Sequence, residues 1–320
     1  MIKTLVLSLL LLYTTNGFCG TGGHIVGQYD NRKYASLSEP DYRGITKLSL
    51  GNYHCTGVFI SDNLVLTNSH CAEGAKNGGS AYFWDGAKYE TSNLSITKFN
   101  ETYGIYDGTD WAVLKSDKPN KLYRNIRPQT PERAAIHYGG FGCLRVIKNE
   151  EIDELRDIYA QVIQDFQATC QNEDDYIECI NEHMDDKLRA LGKTPLLTDE
   201  DNFKIQDCDI TGTDGSHSNM VMTNCDTASG NSGAPYLNND QIVALHNSAA
   251  THNIFDSDTV GAQGVKTQAF FSEVQSIIRN EQNSFTTPGD NGNNQIPQTI
   301  AQDPTIDQII ENRLQYLDCD

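Results

Sequence analysis

Three widely separated stretches carry side chains that together could hydrolyse an acyl bond. Gly230-Asn231-Ser232-Gly233 holds a small hydroxyl on backbone that glycine frees to take unusual dihedrals. Such backbone lets the N–H groups of Gly230 and Ser232 converge on one point and stabilise an oxyanion. Tetrapeptides of this composition also make ordinary turns, so the meaning of this one depends on what lies upstream. His70 closes Thr67-Asn68-Ser69-His70-Cys71 and offers an imidazole, a base that works near neutral pH. Asp110 opens Asp110-Trp111-Ala112-Val113-Leu114 and offers a carboxylate able to hold that imidazole in one tautomer. Asp107 competes for this role but sits in the turn-like Tyr106-Asp107-Gly108, whereas Asp110 directly precedes an apolar run and can reach inward from it. This chemistry calls for no metal and no cofactor.

The segments resemble the trypsin-like serine proteases of the chymotrypsin fold, and more narrowly the bacterial glutamyl endopeptidases. Cys55-Thr56-Gly57-Val58-Phe59-Ile60, Leu64 to Cys71, Asp110 to Leu114 and Gly230 to Pro235 carry the resemblance, which covers residues 25 to 145 and 203 to 280. The order His, Asp, Ser along the chain separates this family from unrelated serine hydrolases. The resemblance implies an all-β fold of two six-stranded antiparallel barrels, protein or peptide substrates, and a triad of His70, Asp110 and Ser232. It also implies an oxyanion hole from Gly230 and Ser232. Cys55 and Cys71, which flank a strand pair, are then expected to form the disulfide that fixes it.

Asn231 departs from the chymotrypsin-type pattern, in which an Asp before the nucleophile pairs with the freed N-terminus. Glutamyl endopeptidases lack that Asp too, and Ile25-Val26-Gly27 resembles the mature start of such enzymes. For the specificity pocket the residues point two ways. Thr227 and His246 match the pair with which the glutamyl branch binds a substrate carboxylate, and both side chains can donate to one. Asp226 stands where trypsin carries the Asp that selects Lys and Arg, and would attract a cation if it faced the pocket. The expectation leans to acidic substrates.

The elements that must position these groups are short. Ile45 to Leu50, Val58 to Ile60 and Leu64 to Leu66 read as strands separated by turn residues, the spacing of an antiparallel barrel. Ala134 to Gly142 reads as a glycine-rich strand of a second barrel. Strand pattern returns at Phe203 to Ile205, Met220 to Met222, Gln241 to Leu245 and Val265 to Phe270, followed by a closing helix over Phe271 to Arg279. Between lies a different pattern. Over residues 147 to 191, Ile152, Leu155, Tyr159, Val162 and Phe166, then Ile177, Ile180, Met184, Leu188 and Leu191, recur at helical spacing, predicting an antiparallel helical pair linked over Asn172 to Asp175. Cys170 and Cys179 could staple it. Thirteen acidic residues against Lys148, Arg156, Lys187 and Arg189 give it a net charge of −9, so it is read as an insertion and as a candidate partner surface. Cys208 and Cys225 lie about equally far from the turn-like Gly212 to Ser218 and could bridge a hairpin, while Cys19, Cys143 and Cys319 have no assigned partners.

The 320 residues suffice for a sizeable core, and the protease domain is expected over 25–280. The net charge of −19 argues against nucleic acid or an anionic membrane as partner. Residues 1 to 17 read as a secretory signal, with Lys3, an apolar run from Leu5 to Tyr13, and small residues at Thr15-Asn16-Gly17. That predicts a secreted or periplasmic protein whose nine cysteines mostly pair. Residues 281 to 304 have the composition of a linker, with a short helix expected over Ile306 to Leu317. A protein that only binds, on a protease scaffold with the insertion as its recognition surface, is the reading from a different class. A full triad argues against it.

Overall fold

The computed structural model describes residues 23–26, 29–51, 53–105, 107–170, 176–196, 202–215, 217–249 and 261–284. The expected signal, the link over Asn172 to Asp175, and the tail beyond 284 lie outside these residues. The chain divides into two compact units, residues 1–280 and 281–320. Of the second, the described residues are 281–284, at the end of a helix.

Among the described residues of the first unit, twelve strands form two barrels. β1 (Ile45–Leu50), β2 (Tyr53–Phe59), β3 (Leu64–Thr67), β4 (Gly79–Trp84), β5 (Tyr89–Phe99) and β6 (Ala112–Ser116) close into an antiparallel barrel in the order 1-2-3-6-5-4. The second ring comprises β7 (Ala134–Gly140), β8 (Lys204–Thr213), β9 (Met220–Thr223), β10 (Pro235–Asn238), β11 (Gln241–Ala249) and β12 (Ala262–Lys266). Its order is 7-8-9-12-11-10, closed by β7 with β10. The two barrels thus share one topology, as expected of the chymotrypsin fold. Each encloses its own apolar core: Leu48, Phe59, Val65, Phe83 and Leu114 in the first, Ile136, Tyr138, Val221, Tyr236 and Val243 in the second. A third cluster, with Ile45, Leu66, Trp111, Phe141, Leu245 and Phe270, draws residues from the strands of both.

Helices are few. α1 (Ser69–Gly74) follows β3 directly, and α4 (Phe271–Ser284) seals the third cluster with Val274, running past the expected end at Arg279. The insertion enters between β7 and β8 as α2 (Asn149–Cys170) and α3 (Tyr176–Ala190). Ile152, Leu155, Tyr159, Val162, Ile180, Met184 and Leu188 are buried between the helices, with Phe166 partly so, which accounts for the helical spacing. Leu191 is a correction: it is 52% exposed, because α3 ends at Ala190 and Gly192, at φ +69°, turns the chain away. The expected strand from Val265 to Phe270 is also shorter. β12 ends at Lys266, where the Thr267 amide leaves the ladder to donate to Thr130 Oγ1 at 2.9 Å. Three disulfides pair as expected, Cys55–Cys71, Cys170–Cys179 and Cys208–Cys225. Cys143 is also disulfide-bonded.

Replacing Leu155 by Ala deletes fully buried methyl groups and should cost about 2–5 kcal/mol. Leu191→Ala should stay within about 0.5 kcal/mol of wild type. Chemical denaturation of the two variants checks this; equal losses would contradict the inward face assigned to the helices.

Candidate active site

Local structure explains how His70 meets Asp110. Asn68, buried at the head of α1, donates from Nδ2 to the Asp110 carbonyl at 2.8 Å. Ser69 Oγ donates to the Trp111 carbonyl at 2.6 Å and accepts from the Asn100 amide at 3.1 Å. These two side chains fasten the first turn of α1 to the start of β6, so His70 and Asp110 face each other. The His70 amide donates to Asp110 Oδ1 at 3.0 Å, and His70 Nδ1 lies 2.7 Å from Oδ2. Asn247, on β11, donates from Nδ2 to the same Oδ2 at 2.7 Å. Asp110 is fully buried and the His70 side chain is 24% exposed, so the imidazole bridges a dry carboxylate and the open cleft.

Ser232 reaches the same place through the backbone. The Thr56 amide donates to the Ser232 carbonyl at 2.8 Å, and Cys71 Sγ, beside His70, lies 3.9 Å from that oxygen. Thr56 Oγ1 donates to the Gly230 carbonyl at 2.9 Å and accepts from the Phe141 amide at 3.0 Å. The Gly233 amide donates to the His246 carbonyl at 2.9 Å. The loop is thereby clamped on three sides. Gly230 holds φ +91°, and a Cβ there would collide with the Phe141 carbonyl oxygen, so only glycine fits. Among the described residues, nothing accepts from the amides of Gly230 and Ser232, and Ser232 is partly exposed.

The three residues expected to form a specificity pocket separate. Thr227 Oγ1 lies 2.8 Å from His246 Nε2, and His246 Nδ1 lies 2.8 Å from the Tyr236 hydroxyl. Asp226 turns away. Its Oδ1 accepts from the Val26 amide at 2.5 Å and its Oδ2 from the Asn31 amide at 2.9 Å, with no exposed surface left. Gly23–His24 pairs antiparallel with Thr227–Ala228, and Ile25 and Ala228 share the core of the helical pair. Nearby, Arg32 and Asp30 form a buried ion pair at 2.8 Å. Arg32 also donates to the carbonyls of Leu144 and Arg145, and Asp30 accepts from the Ile147 amide. Two described clusters have metal-ligand types, Cys55–His70–Cys71 and Cys170–Cys179–His183. In each the two sulfurs are bonded to each other, so no thiolate remains to hold an ion.

Residues 55–244 match the model of the trypsin-like peptidase domain. The chain belongs to the trypsin-like peptidase family. Among solved structures, one described as a Glu endopeptidase in complex with MPD is 23% identical, with a TM-score of 0.52 over 80% of this chain and 100% of that one. Another, described as a scabies mite inactivated protease paralogue, is 11% identical, with a TM-score of 0.48 over 80% and 97%. No curated protein matches the chain. In this trypsin-like peptidase, Asn247, Thr56 and Tyr236 escape a reading of the sequence alone. Asn247 directly follows His246, and that adjacency was the available signal. Thr56 and Tyr236 lie within ordinary strand pattern and act through contacts that only folding creates.

Burial disfavours the charged form of both Asp226 and His246, which moves their titrations in opposite directions. Burial, reinforced by the charge of Asp30, pushes the Asp226 carboxyl up to about 7. The folded protein therefore binds that proton more tightly than the unfolded chain, and this contribution to stability is lost as pH rises through about 7. Burial, and then the charge of His70, pulls His246 down to about 3. Its contribution is present above the ordinary histidine range and is lost as pH falls toward about 3. For Asp30, burial alone would raise the carboxyl, but Arg32 outweighs it and holds it below its usual range. Asp226→Asn gives up one acceptor at every pH, yet it removes the alkaline loss. Its Tm relative to wild type should therefore rise as pH is taken from about 5 to about 8. Calorimetry across that range checks it; a pH-independent difference would refute the assignment.

Proposed function

We propose that the protein is an exported serine endopeptidase that cleaves peptide bonds after acidic residues through an acyl-enzyme. The observation that carries this is the 2.7 Å contact between His70 Nδ1 and fully buried Asp110, beside a loop whose Gly230 and Ser232 amides have no acceptor among the described residues. Ser232 Oγ attacks the scissile carbonyl as His70 Nε2 takes its proton. Asp110 holds the proton on Nδ1 and stabilises the imidazolium that forms. The amides of Gly230 and Ser232 receive the oxyanion, each worth about 3 kcal/mol in comparable sites. His70 then protonates the leaving amine, and water repeats the sequence on the acyl-enzyme.

Three observations support acidic specificity. Thr227 and His246 form one hydrogen-bonded unit. Both oxygens of Asp226 are occupied by backbone amides, which weighs against recognition of Lys or Arg through it. A Glu endopeptidase is among the proteins that share the fold. Export is supported by the disulfides, which persist in oxidising compartments. Among the described residues no helix is long and apolar enough to cross a membrane. The acidic helical pair is retained as the surface proposed for a partner, and a start at Ile25 as the proposed mature N-terminus. The second reading, a non-enzymatic binder, has no observation in its favour at the site.

A fluorophosphonate should label the processed protein and fail to label Ser232→Ala; absence of wild-type labelling would remove the enzyme reading. Asp110→Asn should lower kcat by about 10⁴-fold with the fold retained, since the imidazole loses its tautomer. In a peptide library, cleavage should fall after Glu, and cleavage after Lys or Arg would restore Asp226 as the selector. Edman sequencing of the active form should begin at Ile25; a start beyond Arg32 would count against the proposed processing.

A further inference from the structure

We propose that Tyr236 is a positioning residue for specificity: its hydroxyl donates to His246 Nδ1, fixes the imidazole proton on Nε2, and so leaves the Thr227 hydroxyl proton for a substrate carboxylate. The inference rests on the acidic-substrate reading above and adds the group that orients its pocket.

A neutral imidazole carries one donor and one acceptor, and each nitrogen of His246 faces a hydroxyl at 2.8 Å. Either hydroxyl can donate or accept, so the direction is set by what else each can reach. Tyr236 is fully buried, and its other neighbour is Thr223 Oγ1 at 3.4 Å. The Thr223 hydroxyl has a pure acceptor of its own, the Ala262 carbonyl at 3.2 Å. With its proton on that carbonyl, and the Cys225 amide at 3.4 Å on its oxygen, Thr223 is left to accept from Tyr236, at a distance well beyond a good O–H···O bond. The tyrosine proton goes to Nδ1, the nearer acceptor. Nδ1 then carries no proton of its own, and Nε2–H donates to Thr227 Oγ1. The distances alone are symmetric, because Thr227's remaining neighbour, the Tyr138 hydroxyl, is also 3.4 Å away. A phenol is the stronger donor of the two hydroxyls, so Tyr236 rather than Thr227 gives its proton to the ring and Thr227 keeps its own. The reverse order would spend the Thr227 proton on Nε2 and leave the pocket facing a carboxylate with a lone pair. Tyr236 thus gives three polar groups one sense, and an acidic side chain meets a polarised hydroxyl donor.

The test uses the full chain labelled with ¹⁵N at histidine, with NMR reading the ring nitrogens of His246 directly. Wild type should show Nε2 protonated and Nδ1 bare. Tyr236→Phe should replace this single tautomer by a mixture and lower the Glu-over-Gln ratio in kcat/KM by about three- to tenfold, the worth of one hydrogen bond. Thr227→Val should leave the tautomer as in wild type while lowering the same ratio, which separates the two roles even if Tyr236→Phe folds poorly. Protonated Nδ1 in wild type, or an unchanged tautomer in Tyr236→Phe, would overturn the proposal. If the tautomers behave as expected but wild type shows no preference for Glu, the acidic reading fails and the specificity role fails with it.

Discussion

A carboxylate without solvent must be matched by donors on every side, and Asp110 imposes this requirement on the whole cleft. Its two oxygens receive the His70 amide, His70 Nδ1 and Asn247 Nδ2. These come from α1 and from β11, elements that belong to different barrels. An unmatched buried charge costs several kcal/mol, more than most single contacts in a protein can offset. The halves of the cleft therefore have one favourable arrangement, in which His70 and Asn247 meet on the same carboxylate. Thr56 reinforces that arrangement by bonding the Gly230 and Ser232 carbonyls from the edge of the first barrel.

The same logic explains which parts could be read from the sequence. His70 and Asp110 were legible because each adjoins an apolar strand, and α2 and α3 because Leu155, Val162, Met184 and Leu188 recur at helical spacing. β5 was not legible. In Tyr89–Phe99 the less exposed face mixes polar Glu90 and Ser92 with Leu94 and Ile96, which blurs the apolar alternation that marks a strand. The direction of Asp226 was equally hidden, because the amides it serves are those of Val26 and Asn31, about two hundred positions earlier. Local pattern records burial and turn chemistry; it does not record which distant backbone group a buried acid will meet.

The hydrogen-bonded chain of Thr227, His246 and Tyr236 lies in surroundings of low polarity. His246, Tyr236 and Thr227 are all buried, and burial keeps the imidazole uncharged. Asp226 spends its acceptors on the N-terminal segment, which also joins the core of the helical pair through Ile25. The insertion is in this way continuous with the segment that carries Thr227, since Ala228 belongs to the same cluster.

The union of Asp226 with Val26 and Asn31 has a kinetic side. Contacts separated by 200 and 195 positions close among the largest loops the chain can form, and loop closure of that kind slows folding. During synthesis the early residues emerge long before their acceptor exists. The N-terminal segment can dock on Asp226 only after the second half of the chain has been made, so this contact must form by a long return of the chain's start.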